Sequence, residues 1–490
     1  MLAFALPPAA EPLIRSFAPA FTRPSFGRFV LLLAGAIVTF GRRTVSRVLW
    51  TLGRAADGAG HPSSFHRFFS RSRWSPWPLA KILAAAVLEL LPTDAPVPLA
   101  VDDTVFGHRG KKVWGKGCHR DPVRSPHDPD RVVHKWGHKW VVLAVLVPLP
   151  FTARRWALPV LCALYRMPKV NEELGRRHKT PCDLARGLVS AMLHWFPDRR
   201  FVLLGDGGFA SHDLAWFCSR HKDRLTLVAR GRKDMNLHVL PKPGDAKPPC
   251  RQTLWRRRKG ISRGPRGHKG KKLPSPADTV AAARLGRGLA PGGGVLPTAN
   301  VQWYGQSRRE MEVFSACGGW YRGRGDGTGA LVPVRWLYTH DPRTGKEDWF
   351  FSTDPTHAPP AVIEDFAGRW SIEVTFEEGR AHLGWETTRQ RCERSVLRCA
   401  PCLIRLFSLI ALIFVRLWRE RGGGRGGGVQ WTHHTPCYHK AEPTFADALY
   451  AVRRVLWDGC LLKHVLGPRR VTTLPPPVKR TLITYLAEAG

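Results

Sequence analysis

Acidic residues are scarce in this chain of 490 residues, in which 38 Asp and Glu stand against 76 Lys and Arg. The resulting net charge of +38 is far more than an enzyme of small neutral molecules needs. It favours a polyanionic partner, because neutralised phosphates release counterions and so supply affinity. Nucleic acid and anionic membrane are the two polyanions that fit this charge.

Long hydrophobic runs are also missing. The two longest candidates are 29–40 (FVLLLAGAIVTF) and 406–415, which has an arginine at each end. Both are shorter than the roughly 18–20 residues that span a bilayer, and no small-residue cleavage site of a secretory signal follows the first. We therefore expect two buried helices, no membrane partner and a cytoplasmic, nucleoid-associated location.

Paired cysteines are missing as well. The 11 cysteines are odd in number and scattered, which indicates reduced thiols and not a disulfide framework. The pair Cys399 and Cys402 has no second pair at zinc-ribbon distance. A later segment permits two interpretations, a zinc site or a polar loop, and it contains His433, His434, Cys437 and His439.

Enough apolar residues are present for a large core, at 43% hydrophobic and 10% aromatic. Residues 1–95 are predicted to be helical, with Thr44 capping one helix. Small helices with basic ends suit a helix-turn-helix DNA-binding domain. A helical cap packed on the next domain is the alternative, and the sequence leaves both open.

Strands alternate with helices over residues 96–235, which predicts an α/β sheet. The predicted strands are 96–106, 140–149, 201–205 and 225–229. The predicted helices cover 182–196 and a segment capped by Ser211, and 107–139 is expected to be a loop.

The alternation of strands and helices ends after residue 235. Residues 236–355 are predicted to be a β-rich insertion, within which 251–272 forms a basic loop without an acid. Helices return over 356–420, the core part that contains Glu373. The last region, 421–490, combines a glycine linker with a helix that begins at a capping box of Thr444 and Asp447.

Two predicted strands end in carboxylates. Asp102 and Asp103 end the first strand, and Asp206 follows the third and precedes two glycines. Ligands collect at the carboxyl ends of strands in open α/β sheets, and a carboxylate there is costly to desolvate unless it is paired or holds a metal. The alternative for each is an aspartate that caps a turn.

A third carboxylate, Glu373, lies in a segment of helical pattern. On one continuous helix it falls within an arc of about 60° together with Phe366, Arg369 and Arg380. A neighbouring apolar stripe can bury this helix, and it consists of Ile363, Ala367, Trp370 and Val374. The alternative is an ordinary ion pair of Arg369 with Glu373 on a solvated helix.

Two strand-end aspartates and a helical glutamate are hard oxygen ligands, which suit Mg²⁺ or Mn²⁺. Two such ions about 3.5–4 Å apart can activate the attacking oxygen and stabilise the leaving oxygen in phosphodiester chemistry. The basic surface would then hold the DNA phosphates.

These residues resemble a known family. The series Phe366-x2-Arg369-x3-Glu373-x6-Arg380 is similar to the Y-x2-R-x3-E-x6-K signature of bacterial insertion-sequence transposases of the DDE type. Asp102-Asp103-Thr104 resembles their D-x-T motif, and Gly205-Asp206-Gly-Gly-Phe209 resembles their second motif. Phe366 lacks the hydroxyl of the signature tyrosine, whereas Arg380 keeps the charge of the signature lysine.

The resemblance implies an RNase H-like catalytic core and a transposase that cuts element ends and transfers the strand to target DNA. It implies that Asp102, Asp206 and Glu373 are catalytic and hold two Mg²⁺ (or Mn²⁺) ions, with Asp103 and Glu377 as the alternative ligands. Arg369 and Arg380 would contact phosphates, and double-stranded DNA would be bound by a homodimer. Flanking DNA would be gripped by a basic run of Arg256, Arg257, Arg258 and Lys259.

Two other functions stay open at this point. The first is a metal-dependent nuclease of the same fold without strand transfer, and the second is a DNA-binding protein without chemistry. Trp255 and Trp303 could stack on an unpaired base, or they could be packed in the core.

Overall fold

The computed structural model describes residues 6–53, 60–121, 125, 131–240, 270–287, 295–304, 308–323, 329–420 and 440–488. Several predictions fall outside these ranges: the basic run 256–259, Trp255, the glycine linker, and the segment with His433, His434, Cys437 and His439.

Eleven strands are present in the described part. They are β1 (Val97–Gly107), β2 (Gly117–Arg120), β3 (His134–Val147), β4 (Trp156–Tyr165), β5 (Phe201–Gly205), β6 (Leu225–Arg230), β7 (Leu237–His238), β8 (Thr298–Gln302), β9 (Arg308–Gly323), β10 (Gly329–Asp341) and β11 (Lys346–Ser352).

The helices of the described part are α1 (Glu11–Arg15), α2 (Arg23–Val38), α3 (Val45–Leu52), α4 (Pro62–Ser70), α5 (Pro76–Leu88), α6 (Pro168–Glu173), α7 (Pro181–Trp195), α8 (His212–Ser219), α9 (Pro276–Arg284), α10 (Pro359–Gly368), α11 (Ser371–Leu383), α12 (Glu393–Glu420), α13 (Phe445–Leu456), α14 (Leu462–Leu466), α15 (Pro468–Thr473) and α16 (Pro476–Glu488). A 3₁₀ turn covers Ala18–Ala20, and a π turn covers Trp457–Leu461.

The chain divides into two compact units. The first comprises Met1–Pro92, Asp103–Thr180 and Ser371–Gly490, and the second comprises Thr93–Asp102 and Pro181–Trp370. One boundary falls inside β1, between Asp102 and Asp103.

The second unit contains a mixed sheet in the order β1-β5-β6-β11-β10-β9-β7, with β8 beside β9. The strand pairs β1–β5 and β5–β6 are parallel, and their rows of buried apolar side chains match strands covered on both faces. The strands β8 to β11 pair antiparallel, so the predicted β-rich insertion is present. Helix α8 begins as predicted, because Ser211 Oγ accepts the N–H of Leu214 at 3.2 Å.

In the first unit, β3 pairs antiparallel with both β2 and β4. Strand β4 is missing from the sequence prediction. The prediction of a loop over 107–139 is wrong in part, since β2 and the start of β3 lie there. Glycine permits this pairing: a Cβ on Gly137 would lie 2.0 Å from the carbonyl oxygen of Phe106.

Helix α12 is the core helix of the first unit, where α4, α5, α13 and β4 pack against it. Two buried arginines connect it to these neighbours through carbonyl oxygens: Arg398 Nη1 donates to Phe69 at 3.1 Å, and Arg405 Nε donates to Val160 at 3.0 Å. Among the described residues, α12 is the one helix long and apolar enough to cross a membrane, but 89% of its apolar window is buried inside the protein. Such burial is typical of a core helix.

The amino-terminal region is helical as predicted, and Thr44 Oγ1 accepts the N–H of Arg47 at 3.2 Å. Helices α4 and α5 pack on α12, which is the contact that a helical cap requires. The capping box of Thr444 and Asp447 opens α13 as predicted. In the described part of the chain, the predicted α/β fold with a β-rich insertion and helical terminal regions is therefore confirmed. Its parallel strands flanked by helices fit the RNase H-like core that the resemblance implies.

The thiols also agree with the sequence. The eight cysteines whose side chains the structure describes are all free. In this part of the chain, stability therefore comes from packing and hydrogen bonds without disulfide cross-links.

Candidate active site

Two of the predicted carboxylates lie on neighbouring strands of the second unit. Asp102 and Asp206 each follow a residue of the parallel register in which Val101 is paired with Gly205. Adjacent strands are about 4.8 Å apart, so both aspartates lie where the parallel pairing of β1 with β5 ends. Open α/β sheets place their ligands at the carboxyl ends of parallel strands. The prediction that Asp102 ends its strand is wrong, because β1 continues to Gly107.

Asp206 also shapes its own turn. Its Oδ1 accepts the N–H of Gly208 at 2.9 Å and the N–H of Phe209 at 3.2 Å. Phe209 is buried, and a Cβ on Gly205 would lie 2.8 Å from the Cβ of Phe209, so the glycine permits this turn. Asp206 thus caps its turn, as the alternative interpretation predicted. Its carboxylate has further lone pairs, which can bind a metal ion as well.

Asp102 forms an ion pair with the first arginine of the predicted stripe. Arg369 Nη1 lies 3.1 Å from Asp102 Oδ2, and the two side chains are 7% and 17% exposed. The guanidinium also lies over the ring of Phe366 at 5.5 Å. Phe366 packs against Phe350 at 4.6 Å between ring centroids, so this position acts through packing where the family signature has a tyrosine.

The stripe itself is divided between two helices, so the prediction of one continuous helix is wrong. Helix α10 ends at Gly368 and α11 begins at Ser371. The backbone tightens between them, because Arg369 donates to Phe366 and Trp370 donates to Ala367, each three residues back. Trp370 is 47% exposed and is therefore not part of a buried apolar stripe.

Within the first unit, β4 and a tryptophan fix α11. Thr375 Oγ1 donates to the carbonyl oxygen of Ala157 on β4 at 2.8 Å. Gly379 lies flat against Trp385, where a Cβ would be 2.4 Å from Cε2 of the indole. On this helix Glu373 is half-buried and Glu377 is exposed. A partly desolvated carboxylate is the better candidate for a ligand, which favours Glu373.

The second arginine of the stripe contacts the D-x-T motif. Arg380 Nη2 donates to Thr104 Oγ1, and Arg380 Nε lies 3.3 Å from Glu386 Oε1. Asp103, by contrast, pairs with Lys139 at 2.8 Å. Side chains alternate between faces along a strand, so Asp102 and Thr104 share the face of β1 opposite to Asp103. Sequence reasoning did not assign Thr104 a role, although it belongs to the quoted motif.

Buried imidazoles lie near β2 and β3 in the first unit. The rings of His108 and His138 are 4.5 Å apart, and His138 Nε2 lies 2.8 Å from the carbonyl oxygen of Trp114. Burial, helped by nearby cations, lowers the pKa of His108 to about 4. Burial likewise lowers the pKa of His119 to about 4, with Lys139 adding to the effect. Both are therefore neutral at pH 7.

The donor groups of the candidate site show whether it fits a divalent metal ion. Among the described residues, no group of three or more His, Cys, Asp or Glu stands together as a metal centre. Asp102 and Asp206 at the strand edge are hard oxygen donors of the kind that Mg²⁺ and Mn²⁺ prefer. The chemistry of the two aspartates therefore fits such an ion, and the third ligand stays a prediction.

Comparison with known proteins finds a matching family model and similar solved structures. A family model described as DDE superfamily endonuclease matches residues 16–309, which include Asp102 and Asp206 but end before Glu373. No curated protein matches the chain. The cryo-EM structure of a piggyBac transposase synaptic complex with hairpin DNA is similar, with 12% identity, a TM-score of 0.40, and coverage of 98% of this chain and 80% of that chain.

The family match covers more than half of the chain, and it confirms the resemblance to DDE-type transposases that the motifs indicated. This chain therefore belongs to the DDE superfamily of endonucleases.

Proposed function

We propose that this protein is a DNA transposase that cleaves DNA at the ends of a mobile element and joins the freed strand to target DNA. The observation that carries the proposal is the contact between two distant motifs. Arg369 reaches Asp102 across 267 positions, and Arg380 reaches Thr104 across 276. Both arginines of the signature thus contact the motif that supplies the first aspartate.

In this proposal Asp102, Asp206 and Glu373 are the catalytic carboxylates, by their order and their match to the D, D and E motifs. They would hold two divalent ions, Mg²⁺ or Mn²⁺, which when bound supply activation of the attacking oxygen and stabilisation of the leaving oxygen. Asp206 is oriented by the two backbone N–H groups of its turn, and Asp102 by Arg369.

The arginines have separate roles. Arg369 is mostly buried and positions Asp102, whereas Arg380 has a side chain that is 39% exposed and can offer further N–H groups to a phosphate. A guanidinium fork suits the paired oxygens of a phosphodiester. The basic run Arg256, Arg257, Arg258 and Lys259 would add contacts to flanking DNA.

The partner in this proposal is double-stranded DNA, both the element ends and the target. The charge of +38 suits it, since each neutralised phosphate releases counterions. Two ends must be held together for transposition, so we propose a homodimer that acts on DNA in the cytoplasm.

The test uses purified full-length protein, Mg²⁺, labelled DNA containing the sequences that flank the gene, and a plasmid target. We expect cleavage at the element end and a joined product with the plasmid. Cleavage without joining would overturn the transposase proposal in favour of a nuclease. DNA binding without cleavage would overturn it in favour of a protein without chemistry.

A further inference from the structure

A basic hairpin in the first unit is not used by the proposed chemistry. It consists of β2 and the first residues of β3, from His134 to Lys139, together with the segment 109–116 that precedes β2. Its strands pair antiparallel, with Cys118 opposite Trp136 and Arg120 opposite His134. Residues directly opposite each other share a face, so the hairpin has two distinct faces.

On one face the cations have acidic partners. Lys135 Nζ lies 2.9 Å from Glu386 Oε1, and Lys139 Nζ lies 2.8 Å from Asp103 Oδ2. These four side chains are about a quarter to a third exposed. This face is directed towards the carboxylates of its own unit.

The other face presents an indole surrounded by cations. Trp136 is 57% exposed although it lies in a strand of a large core, and Lys116 Nζ lies over its ring at 5.1 Å. Arg120 and His134 on this face are exposed. Further exposed cations lie in the adjoining described segments: Arg109, Lys111, Lys112 and Arg131. The described residues 107–121 and 131–139 contain one acidic residue, Asp121, and its side chain is buried.

An exposed aromatic ring among cations is suited to a strand with accessible bases. Every base has a π face that stacks on an aromatic side chain, and the cations follow the phosphates. A paired duplex keeps its base faces stacked internally, so the indole would add little to duplex binding. Anionic lipid is the competing partner, because tryptophan and basic residues also occur at membrane surfaces and Val132 and Val133 are 36% and 38% exposed.

We propose that this face of the hairpin binds single-stranded DNA, with Trp136 stacking on a base and Lys111, Lys112 and Lys116 contacting phosphates. The alternation of the strand directs Trp136 away from the face where Lys135 and Lys139 meet their acidic partners. The inference rests on the proposed function for its choice of DNA as partner. Binding needs neither metal nor cleavage, so the two can fail separately.

The experiment measures binding of the full-length protein to a fluorescent oligothymidine of roughly 20 nucleotides and to a duplex of equal length, both without metal. We expect Trp136→Ala to weaken binding of the single strand by about 5- to 100-fold and to leave duplex binding within about 3-fold. Trp136→Phe should keep most of the affinity. Tyr485→Ala is the matched control, because Tyr485 is also an exposed aromatic residue at 68%.

The contribution of the lysines to single-strand binding is measured by its salt dependence. Lys111→Gln combined with Lys112→Gln should make the salt dependence of single-strand binding shallower, by about 0.7 in logarithmic slope for each phosphate that the protein no longer neutralises. The exposed Lys222→Gln is the control and should leave the slope unchanged. Circular dichroism of each variant confirms folding.

Single-strand affinity that is equal in wild type and Trp136→Ala would overturn the inference. If the same variant also loses binding to vesicles containing phosphatidylserine, the face is assigned to lipid. Neither result affects cleavage at element ends, whose failure would show in the metal-dependent assay.

Discussion

Arg369 Nη1 lies 3.1 Å from Asp102 Oδ2, in a pair whose side chains are only 7% and 17% exposed. Removing one member of such a pair leaves the other charge poorly solvated, which is costly in a low-dielectric surrounding.

Replacing this arginine should destabilise the protein. We expect Arg369→Met to lower the free energy of unfolding by about 2–4 kcal/mol, because Asp102 is deprived of its close cation. Adding Asp102→Asn should restore part of that stability, because the unpaired charge disappears. Urea unfolding of the two variants and the double variant gives the coupling energy, and strictly additive effects would contradict a direct pair.

Replacing Asp102 should affect DNA cleavage far more than replacing the adjacent Asp103. Asp102→Asn should reduce DNA cleavage by at least about 10³-fold if the carboxylate is required for chemistry, whereas Asp103→Asn should stay within about 10-fold. Asp103 is on the other face of β1 and is held by Lys139 at 2.8 Å. Single-turnover cleavage rates of the two variants test this directly, and the reverse ranking would assign the catalytic role to Asp103.

Two glycines in helices should respond oppositely to alanine. Gly379→Ala should destabilise the protein by about 2 kcal/mol or more and slow cleavage, because a Cβ would lie 2.4 Å from the Trp385 ring and displace α11. Gly187→Ala on α7 should stabilise it by about 0.5–1 kcal/mol, since nothing lies within 4 Å of the added atom. Thermal unfolding of both variants makes the comparison, and equal shifts would contradict the close packing of α11.

Mild acid should destabilise the first unit. Burial lowers the pKa of His108 and His119 from 6.5 to about 4, so the unfolded chain binds more protons between those pH values. The contribution is complete above about pH 6.5 and declines as the pH falls towards 4, by about 1–2 kcal/mol for each histidine. His108→Gln with His119→Gln should flatten this pH dependence, measured by urea unfolding. The exposed His194→Gln should not alter it.

Periodicity and carboxylate placement predicted much of the core. The strand that contains Asp102, the strand that ends before Asp206 and the caps at Ser211 and Thr444 follow from local patterns. Strand β4 escaped prediction although it is almost fully buried. Pro159 lies in the middle of β4, and β3 has a bulge opposite to it. A proline inside an apolar run argues against a strand, so the sequence pattern did not indicate β4.

The sequence predicted which residues form the candidate site, but it did not predict how the helices place them. Spacing placed Arg369, Glu373 and Arg380 on one helix, whereas the backbone breaks at 369–370 and a new helix starts where Ser371 Oγ donates to Arg155 at 2.8 Å. That contact joins residues 216 positions apart, so no local pattern contains it. The roles of Asp102, Asp206 and Glu373 stay predictions.

Glu373 and Asp206 are the proposed catalytic carboxylates of a metal-dependent DNA-cleaving enzyme. The measurement that tests this proposal is the rate of Mg²⁺-dependent cleavage of end-bearing DNA by Glu373→Gln, with Glu377→Gln as the matched control on the same helix. We predict a decrease of at least about 10³-fold for Glu373→Gln and for Asp206→Asn, and a rate within about 3-fold of wild type for Glu377→Gln. Cleavage that persists at the wild-type rate in Glu373→Gln would show that Glu373 is not a catalytic carboxylate.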